Sequence, residues 1–515
     1  WQDLLNHSVW LRLTKLASGG VSLGDETQLR LEKLRLLHLE WHLSENESDE
    51  FSIWMSGTGD PDFEEQRQID RVPHDRHELV RWLQRPPSRI FLYEDNWREV
   101  CQKKPAAAAW ALCALSQENH WPIERWREAL QTWSDDKLRR RSWQYLATVV
   151  QKMPDETLSA LAHTATHWLR ATAKILDQHH AIFLDLCCRF LAMDHQDGIE
   201  SDEPVSRAIN HPVGHITQAL LDHWFHRQPE DRQGLPDDLK PLFTALCNTQ
   251  VEQYHHARVL LSAHVISMFR VDREWTMQHL LPMFNWQHSP VEARAAWEGF
   301  LWSPRLYQPL FEAFKNNFLA TAHHYAELGK HGRKYATTLT YVALDPADTF
   351  TVDELRQAIS ALPPAGLLES AQALVNALKG AGKQRQEYWK NRIHPFWRNH
   401  WPKNLQLVSE GISEQFARLV IETQDAFPKA LETVEKWLRP IKHPHYVVHR
   451  LHESGLCRQY PQGALTLLGA IINDQPWAPR ELGDCLDAIL KTWPDAYQDD
   501  RFKRLITYTR RHGHE

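Results

Sequence analysis

Apolar residues recur at three- and four-residue spacing along almost the whole chain, and this pattern more than any other limits what it can fold into. In DETQLRLEKLRLLHLEWHL the residues Leu29, Leu31, Leu34, Leu36, Leu37, Leu39 and Trp41 make a wide apolar helical face. Asp25 stands where it can cap that helix, with Gln28 three residues on. PAAAAWALCALS is a small-residue helix fit for close packing, and WPIERWREALQTW follows with Trp121, Trp126 and Trp133 on it. The pattern continues through ETLSALAHTATHWLRATAKIL, VEQYHHARVLLSAHVISMF, PVEARAAWEGFLW and PRELGDCLDAILKTW.

Helix pairs recur with a period of about 40 residues. The expected fold is therefore all-α: an irregular, α-solenoid-like array of antiparallel helix-pair repeats of HEAT or TPR type. The divisions read from the sequence are N-terminal helices over 1–43, an acidic insertion over 44–75, a repeat array over 76–345 and C-terminal repeats over 346–515. In an array of this kind each repeat packs on its neighbours and leaves long surfaces for partners.

Composition narrows the function. Gly is only 20 of 515 residues, low for an enzyme built on glycine-rich βα turns, whereas Trp is 23 and His 31. Large rings suit interhelical gaps, and they also suit partner-binding anchors. The formal charge of -7 argues against a chain that binds nucleic acid over its whole surface. No apolar run approaches the roughly 18–20 residues of a membrane span. The seven Cys contain no CxxC pair and mostly lie in apolar helical stretches, so free thiols in a reducing cytoplasm are expected. The chain starts at Trp1 without a signal peptide, and a piece of a longer protein is the expectation.

Catalytic motifs are sparse. GVSLG, around Ser22, matches G-x-S-x-G, but an amphipathic helix precedes it where a nucleophile elbow needs a strand. Gly329–Lys330 and Gly382–Lys383 lack the upstream Gly and following hydroxyl of a phosphate loop. His163 and His167 have Thr164 where a zinc protease would carry its Glu. His445, His449 and His452 share one helical face after His443, a metal-compatible spacing that a solvated face in a His-rich chain explains better. DHQDGIESDEP misses the calcium-loop spacing. The segment is accordingly read as a non-enzyme with no cofactor and no metal site.

Two stretches remain as partner-binding candidates. The acidic insertion carries Phe51, Ile53, Trp54 and Phe63 among its carboxylates. LKGAGKQRQEYWKNRIHPFWRNHWPKN sets seven cations against Glu387 alone and interleaves Tyr388, Trp389, Phe396, Trp397 and Trp401. Cations alternating with aromatics serve single-stranded nucleic acids or protein hot spots. The plainer alternative is a core seam of Trp389, Trp397 and Trp401 with the charges outside. The site expected is Tyr388, Trp389, Arg392, Trp397, Arg398, Trp401 and Lys403, with Phe51 and Trp54. Replacing Trp397 and Trp401 by Ala is expected to abolish recognition and leave the array folded.

AAWEGFLWSPRLYQPLFEAFKNNFL (295–319) and YWKNRIHPFWRNHWPKN (388–404), set in a Trp-rich helical array, resemble the C-terminal region of bacterial antiphage defence proteins. In that family a sirtuin-like NAD-hydrolysing domain precedes a STAND-type or helical-repeat sensor. The resemblance spans 76–515. It implies a cytoplasmic sensing segment that binds a phage protein, assembles as a homo-oligomer on activation and triggers NAD depletion upstream. No Gly-Ala-Gly turn with its following Ser and no T-Q-N is present, so no catalytic residue carries over. The alternatives are a helical-repeat adaptor for protein–protein contact and, less favoured, a single-stranded nucleic-acid binder.

Overall fold

The computed structural model describes residues 2–43, 68–73, 75–86, 93–176, 181–195, 203–346, 348–473 and 475–512. The chain is all-α, an irregular array of antiparallel helix pairs, and it forms two units, Trp1–Trp168 and Leu169–Glu515. The boundary read from the sequence at 345 falls inside the second unit, because helices on either side of it pack on one another. No described helix is long and apolar enough to cross a membrane. All seven cysteines are free thiols.

In the first unit, α1 (Gln2–Ser18) and α2 (Asp25–Leu37) form a hairpin around Trp10, Leu11, Leu31 and Leu34. Only part of the expected apolar face of α2 is buried: Leu29, Leu36, Leu37 and Leu39 are exposed. Asp25 is the first helical residue rather than the cap, a position taken by Gly24. Ser22 lies in the exposed turn between these helices.

The acidic insertion, with Phe51 and Trp54, lies outside the described residues up to 67. Its end carries β1 (Gln68–Asp70), which pairs in parallel with β2 (Tyr93–Asp95), a short ladder the helical reading did not anticipate. The facing carboxylates at the ladder's end anchor it. Asp70 accepts a hydrogen bond from the Trp82 indole at 2.9 Å, and Asp95 accepts one from buried Arg125 at 2.7 Å. The Arg125 guanidinium lies over the Trp82 ring at 4.2 Å.

The helices α3 (Arg76–Leu83), α4 (Trp97–Lys103), α5 (Pro105–Gln117), α6 (Ile123–Trp133) and α7 (Arg139–Gln151) then pack each on the next but one. Trp residues tie these layers together. The Trp97 indole donates to the Arg125 carbonyl at 3.1 Å, Trp133 to the Cys101 carbonyl at 2.9 Å and Trp168 to Ser142 Oγ at 2.9 Å. A buried indole N–H gains from an acceptor, and for these three the neighbouring helix supplies one, whereas the buried Trp126, Trp224 and Trp401 N–H groups find none among the described residues.

The second unit repeats this construction. Its helices include α8 (Pro204–Asn210), α9 (Pro212–His226), α10 (His255–Ala263), α11 (Pro290–Trp302), α12 (Gln308–Ala313), α13 (Gly332–Leu344), α14 (Pro364–Gly380), α15 (His394–Asn399), α16 (Glu410–Glu422) and α17 (His445–Glu453). Close approach is bought with glycine: a Cβ on Gly214 would collide with the Ala208 carbonyl of α8, and one on Gly299 with the Val259 carbonyl of α10. Between α10 and α11, buried Arg258 donates to both oxygens of Glu292 at 2.8 and 2.6 Å. His255 adds a third contact to that carboxylate at 3.1 Å. Despite burial, which raises it, these partners hold the Glu292 pKa down at about 2.

Candidate functional site

The basic–aromatic stretch folds inward. Pro395, in the first turn of α15, has no N–H to return to the preceding turn, and a π-helical turn over Trp389–Ile393 leads into it. Trp389, Trp397 and Trp401 are buried at 4%, 7% and 2% exposure, which is the core-seam arrangement. Trp397 stacks on Trp401 at 5.7 Å, and Phe416 and Trp437 close the box edge-on at 4.9 to 5.8 Å. These rings have no face to offer a partner. The expectation that both Trp could be removed with the array intact is thereby corrected.

The cations of the stretch are largely engaged. Arg385 reaches Glu422 at 3.0 Å and Lys379 reaches it at 3.6 Å, joined there by Arg450 at 3.0 Å. Lys403 lies over the Trp397 ring at 4.5 Å and donates to the Trp397 carbonyl. Loss of solvent around its ammonium pulls its pKa down to about 8. Arg398, Lys383 and Lys390 are exposed. Of the His face, His449 contacts Glu453 and Glu481, and no group of three or more metal-ligating side chains able to hold an ion occurs among the described residues.

Arg392 and Tyr388 lead elsewhere. Arg392 pairs with Asp345 at 2.6 Å. Burial raises the Tyr388 hydroxyl pKa, and Arg392, Asp345 and Tyr341 are the groups that act on it electrostatically. Asp345 and Tyr341 belong to a two-lobed groove along α13. One lobe, about 360 Å³, is lined by Pro304, Arg305, Leu306, Arg333, Lys334, Thr337, Thr338, Tyr341 and Glu369. The other, about 370 Å³, is lined by Leu306, Gln308, Phe311, Tyr341, Val342, Asp345, Pro346, Asp348 and Phe350. Leu306 and Tyr341 are common to both, and Leu306 is 54% exposed.

The electrostatics of the groove follow from the helix that forms its floor. The sequence GRKYATTLTYVALD puts its only cations, Arg333 and Lys334, in the first turn of α13 and Asp345 at its C-cap. Both signs oppose the helix dipole, each at a cost of about 0.3–1 kcal/mol. Desolvation, Arg333 and Lys330 all lower the Lys334 pKa. Desolvation, Lys334 and Lys330 likewise lower that of the adjacent, buried His331. Lys334 donates to the Trp302 carbonyl at 2.6 Å. Neither Arg305 nor Arg333 makes a hydrogen bond or ion pair among the described residues. The first lobe therefore sets three cations against one carboxylate, Glu369, and the second holds Asp348 and the Arg392-paired Asp345 among apolar walls.

Sequence reasoning missed Arg305, Leu306, Arg333, Lys334, Tyr341 and Asp348. The available signal was a helix whose two ends carry charges of the unfavourable sign.

No family model matches the chain, and no curated protein matches it. Among solved structures, an engineered protein is similar at 13% identity over 86% of this chain and 97% of its own. Its TM-score is 0.28, a likeness that carries no argument.

Proposed function

We propose that this chain is a helical-repeat recognition module that takes a polypeptide segment of a partner protein in the groove along α13. The observation that carries this reading is the groove itself: two open lobes sharing exposed Leu306 and half-buried Tyr341, with polar groups at both ends and apolar walls between. A single-stranded nucleic acid fits less well, because Asp345 and Asp348 would repel its phosphates and the Trp rings that would stack its bases are core.

The more specific form of the reading is the sensing half of a bacterial antiviral defence protein. There the partner is a phage protein, the chain acts in the cytoplasm, and binding drives homo-oligomerisation and NAD loss through a domain elsewhere in a longer protein. Its support is the resemblance of 295–319 and 388–404, which contribute Arg305, Leu306, Phe311, Tyr388 and Arg392 to the groove or its border. On this reading the segment itself needs no cofactor.

A photo-crosslinking residue at Leu306, compared with one at Val291, which is 69% exposed, tests the module in the host cell. A polypeptide adduct specific to position 306 is expected. Equal labelling at both positions, or no polypeptide adduct, refutes the groove as the site. Co-expression of phage proteins with the full-length protein, read as NAD concentration, tests the sensor form.

A further inference from the structure

We infer that the groove reads charge order: it takes an extended partner segment with an acidic residue in the Arg305–Arg333–Lys334 lobe and a basic residue in the Asp345–Asp348 lobe. This rests on the polypeptide reading above and adds its chemistry. Three observations converge. Arg305 and Arg333 make no hydrogen bond or ion pair among the described residues, and with Lys334 they set three positive charges against the single carboxylate of that lobe, Glu369. Both ends of α13 bear charge opposed to the helix dipole; Arg392 already pairs with Asp345 at the C-terminal end, so a ligand acid relieves the N-terminal end while a ligand base meets Asp348, which makes no ion pair among the described residues. Between the lobes, Leu306 and Tyr341 offer an apolar saddle on which a ligand side chain can rest.

The helix also sets the ligand's spacing. From Arg333 to Asp345 the axis rises about 18 Å, at 1.5 Å for each of the twelve steps. An extended peptide advances about 3.3 Å per residue, so its acid and base stand five or six residues apart. A peptide with one sign of charge throughout would meet repulsion in one lobe, which gives the groove discrimination as well as attraction.

The test is selection of a phage-displayed library of random linear peptides, about twelve residues long, on the full chain. A parallel selection uses the R305E/R333E variant, whose altered residues are exposed and whose fold is checked by circular dichroism. Enriched peptides should carry an acid and a base five or six positions apart. One of them, synthesised with blocked termini, should bind the variant at least about tenfold more weakly. Replacing its acid with lysine should restore binding to the variant.

Peptides that compete with crosslinking at Leu306 but show no charge pattern, or that bind both proteins equally, overturn the inference and leave the module reading standing. Failure to select any peptide sensitive to Leu306→Asp overturns both.

Discussion

Replacing Trp401 by alanine should loosen the second unit by several kcal/mol rather than trim a contact surface. The ring is 2% exposed and packs on Trp397, Phe416 and Trp437 at centroid distances of 5.7, 5.0 and 5.8 Å. Truncating a buried Trp costs about 3–5 kcal/mol from lost transfer energy and the cavity left behind. Aromatic pairs add about 0.5–1.5 kcal/mol beyond burial, and relief of the Trp401 indole N–H, which is buried without an acceptor among the described residues, offsets this, so the site falls within the range for a truncated buried Trp. The assay is hydrogen exchange of the α16 amides, whose Phe416 forms one wall of the box. At about 1.4 kcal/mol per tenfold, exchange through sub-global opening should accelerate by about two to nearly four orders of magnitude. Val291→Ala, at a position 69% exposed, should change stability by no more than about 0.5 kcal/mol. Less than about a threefold acceleration in the Trp401→Ala protein would refute the reasoning, since a cavity in a close-packed box cannot be that cheap. The same result would revive these rings as a detachable surface.

Other expectations follow from the packing and the titrating groups. Gly214→Ala should destabilise the second unit by at least about 3 kcal/mol in a urea titration, because the new Cβ meets the Ala208 carbonyl rather than a movable side chain. Glu292 has its folded pKa depressed to about 2 from 4.5, so its contribution is complete above pH 4.5 and is lost as pH falls toward 2. The shift corresponds to about 3 kcal/mol, and Glu292→Gln should remove that segment of the pH–stability curve. His223 is buried, and its Nε2 accepts from Arg227 at 2.8 Å. Burial first and Arg227 second lower its pKa from 6.5 to about 4. Because the unfolded chain takes up this proton first, stability should fall between pH 6.5 and 4, and His223→Gln should flatten that slope.

The class of object is legible from local pattern alone. Helical periodicity, scarce glycine and abundant Trp specify helices that must bury wide faces on one another, and the array forms accordingly. These signals are local: spacing of three and four places residues on one face whatever that face meets. The sequence could not say which face of the basic–aromatic stretch turns inward. Trp397 and Trp401 read equally as anchors or as core, and only the arrival of Phe416 and Trp437, from later in the chain, made them core.

The groove was still less legible. Arg305, Arg333, Asp345 and Asp348 are ordinary charges in one dimension, and they become opposed lobes because α13 sits beside the loop after α11 and the start of α12. Burial, desolvation and charge complementarity depend on distances between residues far apart in sequence, and those distances exist only once the helices have packed.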